Sequence, residues 1–228
     1  MYNNRNSYRQ QDCMFSERRA EKYVNRTVPG WVIVISQILL YVFVAMPLRL
    51  WFRAKRTLPA NVHTMKRGIL VAGNHQSLVD PFFVVLNFPF RQYLNILPMR
   101  FPTADWVLRQ AWNPWFFPVL RFLGCFSIGT TSAEKMKSIF YIRSLLKKDE
   151  TVFLFPEGRI TNEKQVKDLK KGIDFFMWDA HSVMFVRLRG FNGYDGGQSR
   201  YSITYGDVLT PPPSMSVEQM TAYLNNLK

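Results

Sequence analysis

Residues 68–86 read GILVAGNHQSLVDPFFVVL, and this stretch decides how the rest of the chain is interpreted. Its first apolar run begins at Gly68 and is short, which is typical of a buried strand. Its second apolar run has Pro81 near the start, where proline favours the first turn of a helix. The sequence therefore predicts a strand, a tight turn and a helix, with His75 and Asp80 in the turn.

His75 and Asp80 are residue types that can perform acid–base chemistry together. A neutral imidazole can take up a proton near pH 7, and a carboxylate on its other nitrogen fixes the tautomer and stabilises the imidazolium. A five-residue step does not place two side chains on one helix face, but a turn before a helix can bring them together. The same residues could simply cap the loop, because such pairs are common at helix starts. Both interpretations stay open on these residues alone.

A second motif, FPEGRIT at residues 155–161, directly follows the strand predicted for residues 151–154. Gly158 allows the backbone to approach a ligand closely. The planar donors of Arg159 can bind two oxygens of a phosphate. An ordinary surface ion pair between Glu157 and Arg159 is the alternative.

Together the two motifs resemble one enzyme family. Asn74-His75 followed by Asp80 resembles the His-x4-Asp signature of the glycerolipid acyltransferases, which include the lysophosphatidic acid acyltransferases. Phe-Pro-Glu-Gly at residues 155–158 is similar to the second signature of that family. Two motifs in the family's order, each after a strand, are more specific than either alone, and the resemblance covers about residues 30–210. The Glu-Gly-Arg-Ile-Thr form is closer to the branch that reacylates 2-acyl-glycerophosphoethanolamine.

The resemblance implies a fold and a set of site residues. The fold is α/β, with a mixed, mainly parallel sheet flanked by helices and an N-terminal membrane-associating helix. His75 would be the general base that deprotonates the acceptor hydroxyl, and Asp80 would orient it, with no acyl-enzyme needed. The implied substrate-binding residues are Asn74, Glu157, Gly158 and Arg159, with Arg159 on the acceptor phosphate.

Two positions depart from the family's pattern. The family usually carries a basic residue in the place of residues 127–130, where it helps hold the acceptor phosphate, and this chain has none. The phosphate contact could pass to Arg100 or Arg159. Phe185 replaces a proline of the family's fourth block, which changes the expected shape of the pocket. Because of these departures, a non-catalytic lipid-binding or scaffold protein of the same fold stays an alternative.

Composition favours a lipid surface as the partner. The 228 residues carry 30 basic and 16 acidic side chains, a net charge of +14, which suggests an anionic partner. The sequence has no zinc-finger spacing, no RNA-binding aromatic signature and no metal-ligand cluster, so we expect neither nucleic acid nor a metal. A nucleic-acid binder would also explain the charge and is an alternative that we rank far lower. Cys13 and Cys125 are far apart and are expected to be free thiols, consistent with a reducing cytosolic side.

Residues 31–48 form an almost continuous apolar run in which only Ser36 and Gln37 are plainly polar. The run has about the minimum length of a membrane span. Basic residues crowd both ends, so the positive-inside rule gives no clear orientation. A single span and a buried core helix are alternatives to insertion into one leaflet, which we favour. The predicted division is a polar basic tail with a surface helix (1–28), the membrane-associating segment with its basic flank (29–56) and an acyltransferase domain (57–228).

Strands that alternate with helices after residue 68 predict an α/β sandwich. We expect further strands at residues 93–97, 124–129, 182–190 and 201–208. The aromatic-rich residues 101–123 should form two short broken helices, which belong to the core, wall an acyl-chain pocket or contact the bilayer. Further helices are expected at residues 131–148, in the basic stretch 164–177 and at residues 216–227.

These observations predict an O-acyltransferase of phospholipid biosynthesis or remodelling. The fatty acyl group would pass from acyl-CoA or acyl-acyl carrier protein, the only co-substrate expected, to the hydroxyl of a lysophospholipid such as 1-acyl-glycerol-3-phosphate. An acyl carrier protein is highly acidic and would be steered by the positive surface. We expect membrane association, with the active site on the cytoplasmic side.

Overall fold

The centre of the fold is a seven-stranded sheet, found in a computed structural model that describes residues 28–45, 47, 49, 54–78, 80–110, 116–161, 165–167, 169–190 and 201–227. The strands are β1 (Lys55–Thr57), β2 (Ile69–Gly73), β3 (Met99–Thr103), β4 (Cys125–Ser127), β5 (Thr151–Leu154), β6 (Ser182–Arg189) and β7 (Ser202–Tyr205). They lie in the order β1-β7-β6-β2-β5-β3-β4. All neighbours pair in parallel except β6 and β7. The carboxyl ends of β2 to β6 therefore meet at one edge, which we call the carboxyl edge.

Helices cover both faces of this sheet. They are α1 (Gly30–Leu40), α2 (Asp80–Leu86), α3 (Phe90–Asn95), α4 (Asp105–Gln110), α5 (Phe116–Phe122), α6 (Ser132–Lys147), α7 (Ile173–Asp179) and α8 (Val217–Asn226). A π-helical turn (Tyr41–Ala45) extends α1, and a 3-10 turn (Ala60–Thr64) precedes β2. The fold thus has the predicted α/β class with a mixed, mainly parallel sheet.

Strand β2 is buried at all five positions because it lies mid-sheet with helices on both sides. Its side chains alternate between two apolar clusters. Ile69 and Val71 face the cluster formed with α1, α2 and α3, and Leu70 and Ala72 face the cluster formed with α6, α7 and α8. The strand, turn and helix predicted for residues 68–86 are confirmed.

The strand predicted at residues 93–97 is wrong, because these residues lie in and just after helix α3. Tyr93, Ile96 and Leu97 are buried, whereas Leu94 and Asn95 are exposed. This spacing of three and four residues is helical. In so short an apolar run it is easily taken for a strand.

The helix predicted over the basic stretch 164–177 begins only at Ile173. Gly172 precedes it with a φ of 106°, a left-handed conformation that prevents the helix from extending backwards. Val166 and Leu169 are buried as expected, although the described residues around them are not helical. Asn225 of α8 holds this segment by two hydrogen bonds of 2.9 Å to the main chain of Val166.

Both helix starts predicted from capping boxes are confirmed. At α6, the Thr131 hydroxyl accepts from the N–H of Glu134, whose carboxylate accepts from the N–H of Thr131. At α8, Ser216 and Gln219 make the same reciprocal pair. Each box satisfies N–H groups that the first helical turn leaves without a partner.

The apolar N-terminal segment packs on the sheet domain through one face. Its buried positions recur every four residues, at Ile33, Gln37, Tyr41 and Ala45. The side-chain amide of Gln37 donates to the carbonyls of Met99 (2.8 Å) and Leu123 (2.9 Å) and accepts from the N–H of Met99 (3.1 Å). Gln37, a polar residue within the apolar run, therefore binds α1 to β3 and to the residue that follows α5.

Basic residues of the predicted flank also bind the domain. The Arg49 guanidinium donates to the carbonyls of Leu86 and Phe88 at the end of α2 and lies over the ring of Tyr41 at 4.9 Å. Arg56 belongs to β1 and donates to the carbonyl of Asn87 at 3.2 Å. Both cations thus lie where the last carbonyls of a helix favour positive charge.

The prediction of an N-terminal membrane-associating helix is therefore corrected in one respect: one face of this helix packs against the protein core. The run is apolar on all sides, so its periodicity did not reveal this face in the sequence. No helix in the described parts of the chain combines the length and the apolar character needed to cross a bilayer. Of the polar basic tail and surface helix predicted at residues 1–28, residues 1–27 lie outside the described residues.

Candidate active site

His75 and Asp80 meet at the carboxyl edge, directly after β2. His75 Nδ1 and Asp80 Oδ2 are 3.0 Å apart. An ionised carboxylate only accepts hydrogen bonds, so Nδ1 donates and Nε2 is left as the proton acceptor. The His75 side chain is 16% exposed, and that of Asp80 is fully buried. The two side chains are therefore paired, and their roles as base and orienting residue stay a prediction.

The turn between the two residues is closed around the Asp80 carboxylate. Its Oδ2 also accepts from the N–H groups of Gln76 (2.6 Å) and Ser77 (2.7 Å), and the Ser77 hydroxyl donates to its Oδ1. A buried carboxylate is costly unless such donors replace water. Asp80 therefore fixes both the loop and the imidazole.

The second motif fixes the main chain of His75 from the other side. Glu157 is buried, and its Oε1 accepts from the N–H of His75 at 2.9 Å. Its Oε2 accepts from the hydroxyl of Thr161 at 2.8 Å, and the N–H of Thr161 donates to the carbonyl of His75 at 2.8 Å. Both oxygens of Glu157 are thus bound by groups of the chain, and a direct contact between Glu157 and substrate stays a prediction.

Asn74 is also engaged within the fold. Its buried amide donates to the carbonyl of Leu188 at 3.0 Å and accepts from the N–H of Leu188 at 2.6 Å. These bonds attach the start of the turn to β6, the neighbour of β2. The predicted contact of Asn74 with substrate is untested, while its role in fixing the loop is evident from the geometry.

A cavity of about 500 Å³ opens in front of His75. It is lined from both faces of the sheet, by Phe82 and Phe101 on one side and by Ile142 and Phe176 on the other. The imidazole stacks on Phe155, with ring centroids 3.9 Å apart. The site is therefore an apolar cavity with a histidine at its wall, and ligands of α/β sheets commonly bind at this edge.

Among the described residues, three basic side chains line this cavity, His75, Lys135 and Arg159, and no carboxylate does. Arg159 is exposed and follows Gly158, whose φ of 65° is left-handed. A side chain at Gly158 would also approach the Lys170 stem at 3.4 Å. Glycine at this turn therefore lets the motif bring Arg159 to the cavity that His75 lines.

Arg100, the other cation considered for the acceptor phosphate, lies elsewhere. It is buried and pairs with Glu150 at the opposite end of β3. Arg100 and Leu70 both pair with Val152 of β5, so the two residues lie at the same height in the sheet. The five-residue advance from Leu70 to His75 corresponds to roughly 15 Å of strand. Arg100 is thus a structural ion-pair residue, and Arg159 is the candidate that the fold brings to the site.

Cys125 lines the cavity, but its thiol is not an activated nucleophile. Burial raises its pKa to about 12, with a smaller opposing effect from a hydrogen bond with Thr103. The group is therefore a neutral thiol at pH 7. This agrees with a reaction that needs no acyl-enzyme on cysteine; Cys13 lies outside the described residues.

The aromatic-rich residues 101–123 are divided between several roles. Residues 101–103 continue β3, and the two predicted short helices are α4 and α5. Phe101 and Leu120 line the cavity, as expected for a pocket wall, whereas Phe122 is exposed. Trp112 and Trp115 lie outside the described residues.

Sequence reasoning missed three contributors to the site. Thr161 belongs to the second motif, and its hydroxyl donates to Glu157 four residues earlier. Phe155 begins the same motif, and its ring stacks against the imidazole of His75. No motif in the sequence marks Lys135, and only the position of α6 beside the cavity reveals it.

Comparisons with known proteins identify the family. The family model for acyltransferases matches residues 50–187, more than half of the chain and including both motifs. The chain belongs to the acyltransferase family. The resemblance inferred from the two motifs is thereby confirmed.

The fold of this acyltransferase is also found in a solved structure. It is similar to the crystal structure of the 1-acyl-sn-glycerophosphate (LPA) acyltransferase PlsC from Thermotoga maritima, with a TM-score of 0.56 and 18% identity. The match covers 86% of this chain and 83% of that one. At this identity the likeness establishes the fold. No curated protein matches the chain.

Proposed function

We propose that this acyltransferase moves a fatty acyl group from a thioester to the hydroxyl of a lysophospholipid. The observation that carries the proposal is a histidine whose Nδ1 is held by a buried carboxylate, at the wall of an apolar cavity that also carries cations. The family membership supports acyl transfer, and the apolar lining suits an acyl chain.

The proposed reaction is a direct displacement. His75 Nε2 takes the proton of the acceptor hydroxyl as its oxygen attacks the thioester carbonyl carbon. The tetrahedral intermediate then collapses, the C–S bond breaks, and the sulfur receives the proton from Nε2. Asp80 holds the ring and stabilises the imidazolium between the two transfers. These steps need the acyl thioester, acyl-CoA or acyl-acyl carrier protein, as the only co-substrate, and full activity with EDTA would support this.

The charges of the cavity favour an acceptor with a bare phosphate. Arg159 can bind two phosphate oxygens, while the lining residues that the structure describes include no carboxylate that could receive an ammonium head group. We therefore place 1-acyl-glycerol-3-phosphate ahead of the ethanolamine-bearing acceptor that the Glu-Gly-Arg-Ile-Thr form suggests.

The test is a product assay with purified protein. Labelled acyl-CoA and acyl-acyl carrier protein are each offered with lysophospholipids that differ only in head group, and the diacyl products are separated. We expect product with 1-acyl-glycerol-3-phosphate, and less with the ethanolamine and choline acceptors. Binding of the lipids by folded protein without any product would instead support the non-catalytic alternative.

We further propose that α1 lies on one leaflet of an anionic membrane. Its outer face exposes Trp31, Ile35, Leu39, Val42 and Phe43, and Trp31 and Phe43 are 68% and 71% exposed. Large apolar side chains exposed in a row mark a lipid or protein contact, and the net charge of +14 favours anionic lipid. The site would face the cytoplasm, which protease accessibility in sealed membranes would test.

Replacing Trp31 and Phe43 with serine should lower binding to anionic vesicles by about 10-fold or more, because each buried aromatic contributes on the order of 1.5–3 kcal/mol. The measurement is co-sedimentation with sucrose-loaded vesicles. The double change Phe175→Ser and Trp178→Ser on α7 removes a second exposed pair of one phenylalanine and one tryptophan elsewhere and serves as control. Unchanged vesicle binding by the α1 variant would rule out this contact surface.

A further inference from the structure

The wall of the cavity formed by α6 presents one cation at the end of an otherwise uncharged stripe. Lys135, Ser138, Ile139 and Ile142 all line the cavity. Their spacing of three, four and seven residues places them on one helix face. Met136 and Lys137 are exposed on other sides of the helix and do not line the cavity.

Lys135 lies at the same edge of the sheet as His75. Helix α6 follows β4 and leads to the parallel strand β5, so it starts at the carboxyl edge and runs back along the sheet. Lys135 belongs to its first turns, and the apolar members of the stripe continue inwards. A lysine here places its charge at the polar end of the cavity, while its aliphatic stem extends the apolar wall.

The carboxylate next to Lys135 in sequence does not neutralise it. Glu134 turns back to the helix start, where its Oε2 accepts from the N–H groups of Thr130 (2.9 Å) and Thr131 (3.0 Å). This carboxylate also occupies N–H groups at the helix start, so a substrate anion has no access to them. Within the described residues, the Lys135 ammonium has no hydrogen bond or ion pair.

We propose that Lys135, together with Arg159, binds a phosphate group of a substrate in this cavity. The two cations come from different elements, and both line the space in front of His75. Arg159 offers a planar pair of donors, and Lys135 offers a compact charge with three donors, so the two can contact different phosphate oxygens. The inference rests on the proposed function, and the phosphate belongs either to the acceptor lipid or to the acyl donor.

Binding to Lys135→Gln and to wild-type protein separates these two sources. Short-chain lysophosphatidic acid is compared with the monoacylglycerol of equal chain length, and coenzyme A is compared with phosphate-free pantetheine. We expect the Kd for one phosphate-bearing ligand to rise about 10–100-fold, as expected for loss of one charged hydrogen bond, while its phosphate-free partner is unaffected. Where binding is too weak to measure, KM in the acyl-transfer assay replaces Kd.

The matched control is Lys137→Gln, which removes the same charge from the same helix outside the cavity. It should leave every Kd within about twofold of wild type, since Lys137 does not line the cavity. Lys135→Arg should restore most of the affinity. A loss confined to lysophosphatidic acid assigns the acceptor phosphate, and a loss confined to coenzyme A assigns the donor.

Equal affinities of wild type and Lys135→Gln for both phosphate-bearing ligands would overturn the role of Lys135. So would an equal loss with the phosphate-free ligands, since that indicates a packing effect. Phosphate-selective binding through Lys135 without any diacyl product would instead overturn the proposed function and leave this inference standing. Absence of both binding and product in folded wild-type protein would overturn both.

Discussion

Replacing His75 with alanine is expected to lower kcat for acyl transfer by at least about 100-fold, the usual contribution of general-base catalysis. The acceptor hydroxyl would then lose the group proposed to take its proton, and the fully buried Asp80 carboxylate is not exposed to replace it. The KM for the acceptor should change much less, since the phosphate-binding residues remain. Steady-state kinetics with lysophosphatidic acid give both parameters.

The chain carries a second histidine–aspartate pair that serves as the control for this prediction. His181 Nε2 and Asp149 Oδ1 are 2.5 Å apart, but the pair is exposed and lies just before β6, away from the carboxyl edge. His181→Ala should therefore keep wild-type kcat. Near-normal turnover of His75→Ala would refute the role of His75 as the base.

Replacing Asp80 with asparagine is expected to lower kcat by about 10²–10⁴-fold with little change in shape. If the carboxamide oxygen takes the place of Oδ2, it accepts from the N–H groups of Gln76 and Ser77 and from Nδ1, but no negative charge lies beside the ring. If the amide is flipped, its NH2 group faces Nδ1, the tautomer reverses and Nε2 carries the proton. Both outcomes weaken the base.

Stability distinguishes this effect from unfolding. The loss of the charged hydrogen bonds at a fully buried carboxylate should cost about 1–3 kcal/mol, which leaves most domains folded. Asp149→Asn is the control, because it makes the same change in the exposed pair. Asp149 has a φ of 59°, which asparagine also adopts readily. An Asp80→Asn protein that is folded and as active as wild type would contradict the assigned role of Asp80.

The His75–Asp80 pair could be predicted from sequence because its geometry is local. Six residues form the turn, and the carboxylate that orients the ring also accepts from the two N–H groups between them. A motif of this kind determines its own conformation with little help from the rest of the fold. The same holds for the capping boxes, which close within one helical turn.

The supports of the site could not be predicted in this way, because they come from distant parts of the chain. Glu157 and Leu188 bind residues 75 and 74 only because β5 and β6 flank β2 in the sheet. No periodicity in the sequence reports the order of strands. Lys135 likewise lines the cavity only because α6 packs beside it.

The N-terminal segment shows a different limit. Its composition indicates apolar surroundings but does not show whether these are protein or lipid, because apolar side chains are equally stable in a protein core and in a bilayer. In the fold, the face around Gln37 meets the core, and the face around Trp31 and Phe43 stays exposed. One run therefore contributes to the core and offers the surface proposed for the membrane.

The most direct test of the account is a single-turnover reaction with enzyme in excess over a labelled acyl thioester. After rapid quenching, intact-protein mass spectrometry and lipid separation locate the acyl group. We predict that the label passes to lysophosphatidic acid only when this acceptor is present, that the protein mass never changes, and that His75→Ala forms at least about 100-fold less product. An acylated protein that forms and decays at the rate of product formation, or equal product from His75→Ala, would contradict direct transfer by a His75-activated hydroxyl.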